Sequence, residues 1–312
     1  MTVPPAGSPL QLTDEVGDAL RDGAPIVALE STILAHGLPR PRNLEVGAAV
    51  ELQLRRAGVV PATIAVLDGH ARIGLTSSEL ERVAMSPEVA KASVRDLPVV
   101  LAAGRDAATT VASTAFLADH AGIRVFATGG LGGVHRDAME SFDESADLQT
   151  LGRTPIAVVS AGVKSILDVP ATLERLETLG VTVVGYRTDR FPGFYVTDSG
   201  EPVDHRVERP SEVAAILAAV DALGIRSAVA VANPLPLDEQ LDPELHQRVL
   251  DDALTAASDA GLRGKEVTPF LLDHIQRATS GESLEANVRA VSSNVTLAGE
   301  IARAWSERLT AR

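Results

Sequence analysis

Residues 119–136 read DHAGIRVFATGGLGGVHR, and that stretch carries three separate signals. Gly122 ends a helical run at the C′ position, where the backbone needs φ > 0. The run Arg124–Ala127 then reads as a short strand buried on both faces. A glycine-rich turn, Thr128 to Gly133, opens at the carboxyl end of that strand, which is where parallel α/β sheets bind ligands. The same order of helix, glycine and apolar run recurs around Gly58 (RRAGVVPATIAVLDG), Gly180 (ETLGVTVVGYRT) and Gly224 (DALGIRSAVAVANP). Helices alternating with such strands predict an α/β fold, a three-layer α/β/α sandwich around a mostly parallel, mixed central sheet.

Further strands are expected at Pro25–Glu30, Pro98–Ala103 and Pro155–Ser160, making seven or eight. Helices are expected at Thr13–Arg21, Pro41–Ala57, Ser78–Met85, Ala107–Ala121, Ser165–Leu179, Ser211–Leu223, Pro243–Ala260, Thr268–Thr279 and Ser283–Leu309. Ser78 and Glu81 have capping-box spacing, and Pro41 suits a first helical turn. Arg187 to Pro210 lacks helical period and reads as a long excursion or a small antiparallel flap. No linker divides the chain, so one domain over residues 1–312 is expected, with a short flexible N-terminus of about residues 1–12.

Composition narrows the function. The 312 residues carry a net charge of −14, which repels phosphate backbones and anionic lipid, and an aromatic content of 3% offers little base stacking. A nucleic-acid polymer and a membrane are therefore not expected as partners. The absence of cysteine removes disulfides, thiolate metal sites and cysteine nucleophiles. With no secretory signal pattern and no apolar run of spanning length, a cytoplasmic protein is expected.

Four expected strands end in chemically capable residues: Glu30, the turn from Thr128 to Arg136, Ala161 to Ser165, and Asn233. Lys164 stands out because the chain has 25 Arg but only three Lys, at positions 91, 164 and 265. Arginine supplies surface charge but cannot deprotonate to act as an amine nucleophile, so Lys164 at a strand-to-helix turn is a candidate imine former. The helix expected to begin at Ser165 would raise its free-amine fraction. The alternative is a lysine that binds phosphate or a strand carbonyl.

The turn from Thr128 to Gly133 offers backbone N–H groups for a phosphate, with His135 and Arg136 as added donors, or is simply tight. It matches neither a dinucleotide fingerprint nor a Walker A loop. Asp143, Glu144 and Asp147 form an acidic loop that could hold Mg²⁺ or Mn²⁺ or could be a solvated surface. Glu30, approached by the apolar IVAL, is a candidate general acid or a salt-bridge partner. His36 and His70 lie in turns without zinc-ligand spacing, and no G-x-S-x-G is present.

Together these stretches are recognisable. ALESTILAHGLPRP, PATIAVLDGHARIGL, KASVRDLP, ATGGLGGVHR, FDESADLQTL, SAGVKSILD, VANPLP, GKEVTPFLL and SLEANVRAVSSNVTLAGEIA run from about residue 25 to 304. The chain resembles the pseudouridine-5′-phosphate glycosidases, the family that includes the indigoidine-synthase-A-like proteins, without the kinase domain some relatives carry. The resemblance implies reversible cleavage of pseudouridine 5′-phosphate to uracil and ribose 5-phosphate through a lysine imine, with one Mn²⁺ per subunit and a homotrimer. It makes Lys164 the nucleophile, Glu30 the proton donor and Asp143 the metal ligand. Lys91, Val111, Ser145, Ala146 and Asp147 would contact substrate. Asn287 would lie near the nucleobase, and the phosphate would meet Thr128, His135 and Lys91. One departure is Asp137, where the family motif continues GVHRG; a carboxylate against the phosphate would weaken affinity. Other readings are a Schiff-base lyase or aldolase on another sugar phosphate, which would not release uracil, and a non-catalytic phosphosugar-binding regulator, which would bind without turnover.

Overall fold

The computed structural model describes residues 9–262 and 267–310. Its strands are β1 (Leu10–Leu12), β2 (Ile26–Leu29), β3 (Val60–Leu67), β4 (His70–Ile73), β5 (Ala90–Ala92), β6 (Ala107–Thr109), β7 (Val125–Ala127), β8 (Ala157–Ser160), β9 (Thr182–Tyr186), β10 (Arg206–Val207) and β11 (Val229–Ala232). Its helices are α1 (Asp14–Asp22), α2 (Arg42–Arg56), α3 (Ser77–Met85), α4 (Leu97–Ala102), α5 (Val111–Ala121), α6 (Ala138–Ser141), α7 (Ala146–Leu151), α8 (Val169–Thr178), α9 (Pro210–Leu223), α10 (Pro243–Asp259), α11 (Val267–Ala278) and α12 (Glu282–Thr310).

Strand order along the sheet is β1-β4-β3-β2-β7-β8-β11-β9-β10, with β6 joined to β3 and β5 to β6. The strands from β3 through β10 on this path run parallel, whereas β1, β4, β5 and β6 run against them. The mixed, mostly parallel sandwich expected from the sequence is what forms. Alternate residues explain its layers: Val27, Leu29, Val125, Val159, Val229 and Val231 pack with α2, α9 and α12. Ala28, Phe126, Val158 and Ala230 pack on the other face with α1, α5, α7, α10 and α11. Strands apolar on both sides are stable only between two helical layers. Phe126, fully buried, illustrates the stake, since its truncation to alanine would cost about 3–5 kcal/mol.

Gly58, Gly122, Gly180 and Gly224 all have positive φ, as their helix-ending positions require. Other expectations need correction. Pro98–Ala103 lies mainly within helix α4, because Pro98 occupies its first turn and the apolar run alone does not distinguish a buried helix from a strand. Ala107 to Thr109 form β6, and Thr110 caps α5, so that helix starts four residues later than expected. The capping box of α3 is Thr76 with Glu79, not Ser78 with Glu81. Helix α8 begins at Val169 behind the Asp168 cap, so Lys164 sits on an irregular turn and not beside a helix N-terminus. Leu10–Leu12, assigned to a flexible start, pair with β4.

One junction positions the site. Strand β3 pairs with β2 through Val60–Thr63 and with the antiparallel β6 through Ala65 and Val66. The carboxyl ends of β2 and β6 therefore meet beside Ile64. Ser31 and Thr109 each donate a hydroxyl to the Ile64 carbonyl at 2.6 Å, and the Thr109 N–H donates to Ser31 Oγ at 2.9 Å. Both side chains are fully buried, so these bonds replace lost hydration.

Candidate active site

Strands β2, β7, β8 and β11 are successive neighbours, so the four strand ends singled out in the sequence share one crest. Glu30 follows β2, Thr128 follows β7, and Lys164 follows β8 after the tight Gly162 turn (φ 87°). From the opposing direction β5 contributes Lys91, and β6 leads into the α5 N-terminus at Val111.

The Thr128 hydroxyl donates to Glu30 Oε1. Glu30 is drawn toward its neutral form: burial raises its pKa above the usual carboxyl value, against the pull of Lys164, the Thr128 hydrogen bond and Lys91, and with help from Asp147. A small apolar recess of about 20 Å³, lined by Leu29, Ala127, Gly129 and Val291, adjoins both Glu30 and Thr128. Lys91 keeps exposed surface. Desolvation, then repulsion from Lys164, lowers its pKa, while Glu30 and Asp147 oppose the shift. Glu30, Lys91, Asp147 and Lys164 thus form one interacting electrostatic group.

Asp147 clasps two elements, accepting the Gly132 N–H at 2.8 Å and the Ala112 N–H at 2.9 Å. The second donor lies in the first turn of α5, next to Val111, where a carboxylate also gains from the helix dipole. Ser145 caps α7 by accepting the Asp147 N–H, with Ala146 between them as the first helical residue.

The glycine turn is packed tightly. A Cβ on Gly132 would lie 2.2 Å from Ser145 Oγ, and one on Gly130 would lie 2.4 Å from Phe194. Thr128, Leu131, Gly132, Val134 and His135 already donate their N–H groups within the protein. The Arg187–Pro210 excursion supplies part of this packing: Phe191, Phe194 and Tyr195 are buried, and the Phe194 N–H donates to the Ala161 carbonyl. It forms a wall beneath the turn.

At the far end of the turn the His135 N–H donates to the Asp143 carbonyl, and its Nε2 lies 3.9 Å from Asp143 Oδ2. Glu144 pairs with Arg175 at 2.9 Å. Among the described residues, no group of three or more His, Asp or Glu side chains is arranged to hold a metal ion. Asp137, exposed, has φ −97°, so its backbone does not need the glycine usual there. Asn287 reaches over Gly129, and its buried Oδ1 has no partner. Lys265 and part of the GKEVTPFLL stretch lie outside the described residues.

Comparison with known proteins fits this geometry. The family model described as indigoidine synthase A like protein matches residues 15–304. The chain belongs to the indigoidine synthase A-like family. Relatives named pseudouridine-5′-phosphate glycosidase include one from Streptomyces griseus, 63% identical, with 95% of this chain and 92% of the relative covered. One from Saccharopolyspora erythraea is 60% identical, covering 95% and 97% respectively. Among solved structures, the prealnumycin C-glycosynthase AlnA in complex with ribulose 5-phosphate superposes with a TM-score of 0.91 at 36% identity, covering 97% of this chain and 99% of AlnA. An indigoidine synthase A-like protein from Thermotoga maritima gives a TM-score of 0.88, also at 36% identity, with 98% and 99% covered.

In this member of the indigoidine synthase A-like family, several supporting residues escaped sequence reasoning. Asn294 donates to the Thr128 carbonyl at 2.7 Å and accepts from Asn233 at 2.9 Å, tying α12 and the end of β11 to the glycine turn. Ser31 and Thr109 brace Glu30 from behind. Only tertiary packing brings such pairs together. A groove of about 590 Å³ lies elsewhere, along Gln240, Gln276, Glu285 and Arg289, and contains none of the candidate site residues.

Proposed function

We propose that the protein cleaves pseudouridine 5′-phosphate reversibly to uracil and ribose 5-phosphate, through an imine on Lys164. The observation that carries this reading is the lysine amine within electrostatic reach of a carboxyl held toward its protonated form. The names of the relatives support the substrate, and the ribulose 5-phosphate held by AlnA supports a phosphosugar site.

The scissile bond joins C1′ of ribose to C5 of uracil, so no leaving nitrogen or oxygen is available to protonate. Lys164 Nζ bonds to C1′ while the C1′–O4′ bond breaks, and the proton that the nitrogen sheds on bonding goes to O4′. The C1′–C5 bond then breaks: its electron pair goes to C5, which takes the Glu30 proton, and the nitrogen lone pair forms the C1′=N bond. Water adds to the iminium, the amine departs, and the released aldehyde closes to ribose 5-phosphate. Thr128 orients the acid, and Asp147 holds the glycine turn against α5. Lys91 and His135 are assigned to the phosphate, whose binding positions C1′, whereas the Thr128 hydroxyl and N–H are already given to Glu30 and Val159. Val111, Ser145, Ala146 and Asp147 line the sugar, and Asn287, with its unpartnered oxygen, is assigned to uracil.

Asp143 is assigned to one Mn²⁺. A single partly exposed carboxylate beside His135 fits a hard ion that keeps most of its water. Such an ion would organise water and substrate oxygens. A cytoplasmic homotrimer completes the proposal.

The test is purified protein with pseudouridine 5′-phosphate and Mn²⁺, following uracil and ribose 5-phosphate by chromatography beside a chelated sample and Lys164→Ala. Metal-dependent uracil release, lost in the variant, is expected. Turnover retained by Lys164→Ala refutes the imine. Binding without products in either direction favours a regulator.

A further inference from the structure

One buried titratable side chain outside the residues assigned so far touches the turn that carries Lys164. His246, in the first turn of α10, is 6% exposed, and its Nε2 lies 2.9 Å from Ser165 Oγ, equally buried. The same turn is gripped from another direction by Arg136, which donates to the Ser165 carbonyl at 3.1 Å and the Ile166 carbonyl at 3.3 Å. Burial, and then the Arg136 charge, hold the imidazole below its usual pKa of 6.5, with Asp251 opposing. The ring is thereby drawn toward its neutral form, and it shares a hydrogen bond with the serine hydroxyl.

The need for such a brace follows from the local backbone. Lys164 lies five positions before the first residue of α8, so no helical ladder fixes it. Its own main chain has the Leu131 carbonyl at 3.1 Å and the Leu167 N–H at 2.9 Å, and the next residue is held by its side chain. An aliphatic residue would fill the His246 position without the cost of burying a polar ring. Helix α10 is itself anchored to the site wall, since the Leu241 N–H just before it donates to the Tyr195 carbonyl.

We propose that His246 is a positioning residue for Lys164, fixing through the Ser165 hydroxyl the turn from which the amine reaches the reacting carbon. The inference rests on the reading of Lys164 as imine former. Its test compares His246→Leu, His246→Gln and Ser165→Ala with wild type, by kcat, KM and the rate of borohydride-trapped adduct with ribose 5-phosphate. His246→Leu should lower kcat and trapping by about tenfold to a hundredfold, the scale on which small misplacements of a reacting group act, with KM changed less than about twofold. His246→Gln, which keeps a hydrogen-bonding group near Nε2, should restore most of the rate. Combining His246→Leu with Ser165→Ala should add little to either alone. A His246→Leu protein with a lowered melting temperature but wild-type kcat and trapping overturns the proposal, as do additive single effects. Acetic anhydride labelling of Lys164, read by mass spectrometry, keeps the two ideas separable. If wild type traps no adduct, the imine reading fails, while an unchanged labelling rate in His246→Leu still refutes positioning.

Discussion

Replacing glycine with alanine at two positions should give opposite results. At Gly132 the added methyl carbon would stand 2.2 Å from Ser145 Oγ and 2.6 Å from Asp147 Oδ2. Ordinary contact begins near 3.4 Å, so the Ser145 hydroxyl must retreat by roughly 1 Å, carrying with it the cap of α7 and the Asp147 clasp on α5. Overpacking of this kind costs about 1–3 kcal/mol, and a 1 Å displacement in a positioned site costs on the order of a hundredfold in rate. At Gly17, inside α1, the nearest atom to an added Cβ is the flexible Arg21 guanidinium at 3.5 Å. There alanine should stabilise by about 0.5–1 kcal/mol through helix propensity. Thermal unfolding and steady-state uracil release on both variants form the assay. A Gly132→Ala enzyme within twofold of wild-type kcat/KM, or melting no lower than wild type, would refute the claim that glycine is there for close packing of the carboxylate clasp.

Thr109→Val deprives the Ile64 carbonyl and the Thr114 hydroxyl of a partner and should cost about 1–3 kcal/mol by denaturant unfolding, whereas Thr109→Ser should cost far less. Glu30 has a raised folded-state pKa, so its stabilising contribution is complete below the unfolded value of about 4.5 and lost as pH rises through the raised value. Glu30→Gln escapes that loss and should melt above wild type at pH 8 but not at pH 4, while losing turnover; equal melting at both pH values would count against a carboxyl drawn toward its neutral form. Asp137→Gly should leave KM for pseudouridine 5′-phosphate unchanged, because Asp137 is exposed with negative φ, and should lower stability slightly. A fall in KM would put that position against the phosphate after all.

Much of the scaffold was legible because its signals are local. A glycine ending a helix and an apolar run after it depend only on neighbouring residues, and the strand ends found that way after Gly122 and Gly224 line up with those of the apolar runs at Pro25–Glu30 and Pro155–Ser160. The scarcity of lysine drew attention to Lys164 without any structural knowledge. Pro98–Ala103 was misread because a six-residue apolar run has no decisive period, and Ala107 to Thr109 were absorbed into a helix because alanine suits both states. Ser31, Thr109, Asn294 and His246 were invisible for another reason. Each works through a partner 33 to 166 residues away, such as the 166 between Asn294 and Thr128 and the 33 between Ser31 and Ile64. No spacing rule encodes such pairs.

The meeting of β2 and β6 beside Ile64 has a consequence for how the cleft is made. In a purely parallel sheet every loop rises from the same rim, and a pocket there stays open on one flank until another domain or a moving segment covers it. Here a strand of reversed direction ends against the rim and brings Lys91 and the first turn of α5 in from the missing side. Residues from both flanks of the rim are thus brought together when the chain folds, as part of the masonry, before any ligand arrives.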